Sequence, residues 1–129
     1  MHEKNPLAKQ TLSKDEILRS KKIIQELFDS GSSFFLHPFK FVYLKVDHLD
    51  YPQILFTVSQ RNFKKAVDRN KIRRRIKEAY RLNKKSLLTS ENFPYCVAII
   101  YISKNIHTFS DIQDKLKLAL VRLNKTVHQ

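Results

Sequence analysis

Twelve of the chain's 25 lysine and arginine residues fall within residues 61–85, a segment that holds only two acidic residues. The twelve are Arg61, Lys64, Lys65, Arg69, Lys71, Arg73, Arg74, Arg75, Lys77, Arg81, Lys84 and Lys85. Arginine presents a planar fork of N–H donors that can bind a phosphate through two hydrogen bonds, whereas lysine acts as a point charge. This composition therefore favours binding to the phosphate backbone of a nucleic acid.

Helical spacing would place many of these side chains on one side of a helix. At about 100° per residue, six polar residues share a sector of roughly 140°. They are Arg69, Asn70, Arg73, Arg74, Lys77 and Arg81. The sector borders an apolar stripe of Ile72, Ile76, Ala79 and Tyr80, which we expect to face the core. A solvated helix face usually mixes both signs of charge, and a membrane-surface helix carries Trp, Phe or Leu on its apolar side. Both alternatives fit this segment less well than nucleic-acid binding does.

The whole chain has 129 residues and a formal net charge of +13, and the charge outside residues 61–85 is nearly balanced. This length fits one domain, and the hydrophobic content of 42% can supply its core. A single cysteine, Cys96, excludes an internal disulfide framework and a cysteine-based zinc site. The longest apolar run, Tyr95 to Ile102, is far shorter than the roughly 20 residues that span a bilayer. We expect a soluble, cytoplasmic protein with no membrane contact and no evident protein partner.

No residue pattern indicates a catalytic centre in the protein. The histidines show no metal-ligand spacing; they are His2, His37, His48, His107 and His128. Gly31 is the only glycine, so no glycine-rich loop is available for a nucleotide. Asp111 and Asp114 open the last predicted helix, where acidic residues complement the helix dipole. We therefore predict neither catalytic residues nor a metal site.

The pattern along the chain predicts a flexible arm over residues 1–11 and a single RNA-binding domain over residues 12–126. A helix is expected from Ser13 to Phe28, with Glu16 completing a capping box and Gly31 ending it in a left-handed conformation. The remaining predicted elements are strands at 39–44, 54–59 and 95–102, a basic helix over 66–85, a last helix starting at Ser110, and a further short strand near 33–36. The fold class is α+β, in the order α-β-β-α-β-α, with the third strand central because it is apolar on both faces.

The stretch from Phe56 to Arg81 resembles the signature of the bacterial ribonuclease P protein subunit, a strand ending in Val-Ser followed by a basic helix. The matching residues are Ala66, Val67, Arg69, Asn70, Ile72, Arg74 and Glu78, and Lys71, Arg73 and Lys77 are Lys/Arg exchanges. The resemblance covers about residues 12–124. Two positions depart from it, because Ile24 stands where the first helix often has an aromatic residue and Leu55 stands at a position of glycine.

The resemblance implies an α/β sandwich with a left-handed βαβ crossover through the basic helix, like the second domain of a ribosomal protein. It implies that the catalyst is an RNA and that Mg²⁺ is held mainly by that RNA. The protein would bind the catalytic RNA and the 5′ leader of precursor tRNA, and so assist removal of the leader. A ribosomal or general RNA-binding protein remains the alternative, and a stand-alone nuclease is disfavoured because no cluster of acidic residues is found.

Two sets of site residues follow from this interpretation. For the catalytic RNA they are Lys65, Arg69, Asn70, Lys71, Arg73, Arg74, Lys77 and Arg81. For the leader, bound between the first helix and the sheet, they are Phe28, Phe39, Phe41, Tyr43, Ser59, Arg61 and Lys104. Aromatic rings can stack on unpaired bases, and Tyr43 is the preferred contact because its hydroxyl tolerates a wet surface. Each of these aromatic residues could instead belong to the core, and Lys104 could instead be solvated.

Overall fold

The computed structural model describes residues 12–87 and 93–128, so the arm expected over residues 1–11 lies outside the described residues. A 3₁₀ turn at Lys14–Glu16 comes first. The elements that follow are α1 (Lys21–Ser30), β1 (Ser32–Leu36), β2 (Phe39–Lys45), β3 (Gln53–Val58), α2 (Ala66–Leu87), β4 (Tyr95–Tyr101) and α3 (Phe109–Val127). The α+β class, the basic helix and the short strand expected near residues 33–36 are confirmed.

The four strands form one sheet in the order β1-β2-β4-β3. Strands β1 and β2 form an antiparallel hairpin, β2 and β4 are also antiparallel, and β3 and β4 are parallel. Parallel neighbours require a crossover, and α2 supplies it between β3 and β4. Strand β4 is central, as its two apolar faces predict, because it must pack against a layer on each side.

Helices cover the two faces of the sheet unequally. Helices α2 and α3 pack against one face, and α1 packs against the other. We call these the α2–α3 face and the α1 face. The larger core lies under α2 and α3, and its sheet residues include Phe34, Phe39, Phe41, Ile54, Phe56, Val97, Ile99 and Tyr101. The smaller core lies under α1 and contains Leu18, Leu27, Val42, Cys96 and Ala98.

The first helix is shorter than predicted, because α1 begins at Lys21 and its N-terminus is capped by the Ser20 hydroxyl. The carboxylate of Glu16 accepts the N–H of Ser13 at 2.9 Å, but only a 3₁₀ turn follows. Residues 17 and 18 are extended along the edge of β3, where the Leu18 N–H donates to the Ile54 carbonyl at 2.9 Å. This backbone bond to a strand edge overrides the helical spacing of the apolar residues.

We call residues 16–18 the edge strap, because they pass around the β3 edge from one face of the sheet to the other. Glu16 is buried against α2, where its Oε1 lies 2.5 Å from Lys84 Nζ. Two residues later, Leu18 is buried in the small core under α1. The strap also occupies part of the β3 edge, which would otherwise offer unpaired backbone groups to another chain.

Two predictions about helix ends are wrong. Gly31 has φ −72° and ψ 155°, which is extended rather than left-handed. Glycine is required there by close approach, since a Cβ would lie 2.4 Å from the Leu27 carbonyl oxygen and 2.9 Å from Val42 Cγ1. The last helix begins at Phe109 rather than Ser110, because the hydroxyl of Thr108 accepts the N–H of Asp111 at 3.1 Å.

Candidate nucleic-acid interface

Helix α2 is held in place by its apolar stripe. Ile72, Ile76, Ala79 and Tyr80 are all fully buried, as their spacing predicts. They pack into the larger core together with residues of β3 and α3. Since this stripe is fixed against the sheet, the charged sector of the same helix points away from the core.

The centre of the charged sector is a shallow groove of about 290 Å³, lined by Asn70, Arg73, Arg74 and Lys77. The Asn70 side-chain oxygen accepts a hydrogen bond from Arg73 Nη1 at 2.8 Å. This bond orients one guanidinium group and leaves its remaining N–H donors available. Three cationic side chains thus border one concave surface, and this arrangement suits a phosphate group.

The other four residues predicted for the catalytic RNA lie around the groove. Arg69 Nη1 donates to the carbonyl oxygens of Phe63 and Lys64 at 2.8 and 2.9 Å, so it also stabilises the loop before α2. Arg81 forms an ion pair with Glu78 at 2.5 Å, and this hydrogen bond lowers the pKa of the Glu78 carboxyl. Lys65 is exposed just before the helix, and Lys71 is half-buried on its flank.

Arg75 and Lys84 belong to the same basic run but have structural contacts. Arg75 Nη1 donates to the His107 carbonyl at 2.5 Å and so holds the loop between β4 and α3. Lys84 is fully buried, and its ion pair with Glu16 joins α2 to the edge strap. Burial lowers the pKa of Lys84, although the hydrogen bond from its ammonium to Glu16 opposes the shift. Sequence reasoning missed this pair, since its members are 68 residues apart.

The loop held by Arg75 and the first turn of α3 bring together residue types that also occur in catalytic triads. Ser103 Oγ lies 3.0 Å from His107 Nε2, and His107 Nδ1 lies 3.7 Å from Asp111 Oδ2. Ser103 is buried, however, and its hydroxyl also accepts the N–H of Asn105. These contacts stabilise the loop rather than present a nucleophile to solvent.

Three of the residues predicted for the leader come together at one end of the sheet. Ser59 and Arg61 follow β3, and Lys104 follows β4, so all three lie beyond the carboxyl ends of two neighbouring parallel strands. The Ser59 hydroxyl accepts the N–H of Asn62 at 3.3 Å, and Asn62 Nδ2 donates to the Ile102 carbonyl at 3.3 Å. The two loops are therefore linked, with Arg61 and Lys104 exposed beside them.

The aromatic residues of β2 are not where the leader prediction requires them. Phe39 and Phe41 are fully buried in the larger core, and Tyr43 packs at its margin. All three lie on the α2–α3 face, so none of them lines a cleft between α1 and the sheet. The prediction that Phe39 and Phe41 offer stacking surfaces is wrong. Phe28 differs, because it lies on α1 and is 48% exposed.

The open part of the α1 face is a row of four residues at one level of the sheet. Strand register aligns Phe35 of β1 with Lys40 of β2, Lys40 with Ile100 of β4, and Ile100 with Thr57 of β3. Lys40, Ile100 and Thr57 are half-buried and Phe35 is exposed. We call this row the open shelf. Sequence reasoning missed it, although Lys40 stands between two buried phenylalanines and so must face the other side.

The described residues offer no cluster of metal ligands. Within residues 12–87 and 93–128, no three histidine, cysteine, aspartate or glutamate side chains are grouped so as to hold a metal ion. In the same described part, no helix is long and apolar enough to cross a membrane.

Comparison with known proteins adds independent findings. A family model described as ribonuclease P matches residues 12–124. The ribonuclease P protein component of Porphyromonas gingivalis is 32% identical over 117 residues, which cover 87% of this chain and 85% of that protein.

The fold is also similar to that of solved ribonuclease P proteins. The ribonuclease P protein of Thermotoga maritima matches with a TM-score of 0.69 at 25% identity, covering 83% of this chain and 96% of that one. A Staphylococcus aureus ribonuclease P protein, described as a mutant with defective mRNA degradation activity, matches with a TM-score of 0.71 at 22% identity. That match covers 87% of this chain and 90% of that one.

Proposed function

This chain belongs to the ribonuclease P protein family, and we propose that it is the subunit that binds the catalytic RNA and the 5′ leader of precursor tRNA in the cytoplasm. In this role it assists the endonucleolytic cleavage that removes the leader and produces the mature 5′ end. The observation that carries the proposal is the groove on α2, where three cationic side chains face away from a buried apolar stripe.

The groove supports binding to a folded RNA through its backbone. Phosphate contacts from arginine and lysine supply affinity without reading sequence, and helical RNA is recognised mainly by its shape and backbone. Asn70 adds to this by fixing the orientation of Arg73 before RNA binds. A preoriented guanidinium loses less conformational freedom on binding than a mobile one.

The leader requires a second surface, because it is single-stranded. Such surfaces combine aromatic side chains with positive charge along a groove. Phe28 supplies an exposed ring on α1, and the linked loops that carry Ser59, Arg61 and Lys104 supply positive charge at the end of the sheet. The two RNA surfaces thus lie on different elements and can be tested separately.

Chemistry at the phosphodiester is assigned to the RNA in this proposal, together with the magnesium ions that it would hold. The part assigned to the protein is to bind and orient the two RNA molecules.

Cleavage assays on precursor tRNA test the proposal, using the protein alone, the catalytic RNA alone, and both together. We expect the mixture to outperform the RNA alone, and the protein alone to give no cleavage. A general RNA-binding protein would leave the rate of the RNA unchanged, and a stand-alone nuclease would cleave without RNA. Either of these results would overturn the proposal.

A matched pair of variants shows whether the stimulation depends on the groove. Arg73→Gln with Arg74→Gln removes two charges from the groove, and Lys115→Gln with Lys117→Gln removes two exposed charges from α3. Only the first pair should reduce the stimulation of cleavage at limiting protein concentration.

A further inference from the structure

Phe35 is a large aromatic side chain that the fold leaves in solvent. It is 60% exposed, although the neighbouring Phe34 is buried in the larger core. Strand alternation therefore places the Phe35 ring on the α1 face. Lys40, its partner in the register, holds its Nζ 5.3 Å from the ring centroid. One face of the phenyl ring thus lies against a cation, while much of the ring remains accessible.

The backbone that carries Phe35 is fixed from the opposite side of the sheet. Arg122 of α3 donates to the Phe35 carbonyl at 3.1 Å, and its guanidinium lies 4.5 Å from the centroid of the Phe34 ring. Phe35 is therefore an exposed ring on a braced strand, rather than a ring on a loop.

The position is continuous with the leader surface. Phe35 and Lys40 form the β1 end of the open shelf, and Thr57 forms its β3 end, just before Ser59. Three strand spacings of about 4.8 Å separate the two ends, which gives a path of roughly 15 Å across the sheet. A single strand of RNA that follows this path from the loops beyond β3 and β4 arrives at Phe35.

We propose that Phe35 and Lys40 form an additional nucleotide-binding position, at which an unpaired base of the leader stacks on Phe35 and its phosphate pairs with Lys40. The inference rests on the proposed function and extends its leader surface. Charge selects this occupant, because Lys40, Arg61 and Lys104 make the path positive and so favour a polyanion. Any base can stack on an aromatic ring, so binding at this position would depend on the length of the leader rather than on its sequence.

The test measures the affinity of the reconstituted holoenzyme for precursor tRNAs whose leaders are lengthened one nucleotide at a time. For the wild type, affinity should rise with leader length and then reach a plateau. Phe35→Ala should abolish the last part of the rise, lowering affinity by about fivefold to a hundredfold for long leaders only. Phe35→Trp should restore it, because tryptophan also stacks. Lys40→Gln should weaken the same step and reduce its salt dependence.

Leu118→Ala is the matched control, since Leu118 is 56% exposed on α3, on the other side of the sheet. It should leave every affinity unchanged. The inference is overturned if Phe35→Ala has no effect at any length, if it weakens binding equally for leaderless tRNA, or if its effect comes from altered self-association in sedimentation. If the affinity of the wild-type holoenzyme does not change with leader length, the leader-binding part of the proposed function is overturned instead.

Discussion

The two faces of the sheet are built from alternate residues of the same strands, yet they are packed very differently. The α2–α3 face carries large aromatic and branched side chains, such as Phe39, Phe41 and Tyr101, and two helices bury them completely. On the α1 face, under one short helix, the buried sheet residues are the smaller Val42, Cys96 and Ala98, and larger side chains such as Ile100 are only partly buried. The first face therefore contributes most of the hydrophobic stabilisation.

Unequal packing leaves room for binding on the α1 face. Helix α1 has only ten residues and does not cover the open shelf, so polar and aromatic side chains there remain accessible. An aromatic residue in β1 or β2 thus either packs in the core of the α2–α3 face or is exposed on the α1 face. The alternation of side chains along the strand decides which. Variants that remove an aromatic side chain from one face or the other therefore test whether that side chain packs the core or binds RNA.

The largest effect is expected on the α2–α3 face. Phe41→Ala should lower the free energy of unfolding by about 3–5 kcal/mol, because it leaves a cavity in a fully packed core. Urea denaturation of the free protein measures this loss. Binding of leader-bearing and leaderless tRNA should weaken together, in proportion to the unfolded fraction. A selective loss of leader affinity in a stable variant would contradict the burial of Phe41.

The edge strap joins the two faces, and its buried ion pair provides the next test. Lys84→Met should cost about 3 kcal/mol in the free energy of unfolding, because it leaves the Glu16 carboxylate buried without its cation. Combining it with Glu16→Leu should recover part of the loss, since no buried charge is then left unpaired, while the Ser13 N–H loses its acceptor. If the double variant is as unstable as Lys84→Met, the ion pair is not the source of the effect.

On the outer surface of α2, Arg73→Gln with Arg74→Gln should weaken binding to the catalytic RNA by about 2 kcal/mol. Each phosphate contact contributes about 0.7–0.9 to the slope of log affinity against log salt, so the slope should fall by about 1.4–1.8. Filter binding over a range of salt concentrations measures both quantities. An unchanged slope would mean that the groove does not contact phosphate.

The smallest effect is expected for Phe28→Ala on helix α1. Its ring is about half exposed, so the free energy of unfolding should change by less than about 0.5 kcal/mol. Affinity for leader-bearing tRNA should fall by about 1 kcal/mol, because one stacking surface is lost. Affinity for leaderless tRNA should not change. Compared with Phe41→Ala, this variant separates a binding role from a packing role for the same residue type.

Local patterns in the sequence were sufficient for much of the fold. The two apolar faces of β4 identify it as the central strand, and the stripe from Ile72 to Tyr80 orients α2. A period of two shows which residues of β2 share a face, but it does not show which helix covers that face. The leader aromatics predicted on β2, namely Phe39, Phe41 and Tyr43, were therefore placed on the wrong side of the sheet.

Long-range contacts account for the other errors. Residues 17 and 18 have helical spacing, but their backbone bonds to Ile54 far along the chain. Lys84 belongs to a run of surface charges in sequence, yet the fold buries it against Glu16. Neither contact can be predicted from the neighbouring sequence, because each forms between segments that are far apart along the chain.

The concentration of twelve basic residues between positions 61 and 85 also affects the free protein. Folding brings these like charges close together, and their repulsion lowers the stability of the free protein. Binding to a polyanion neutralises the charges and removes this repulsion. Added salt screens the same repulsion, so it should stabilise the free subunit while it weakens RNA binding. Stability and affinity then respond to salt in opposite directions. Under the proposed function, assembly with the catalytic RNA would therefore add to the stability of the protein.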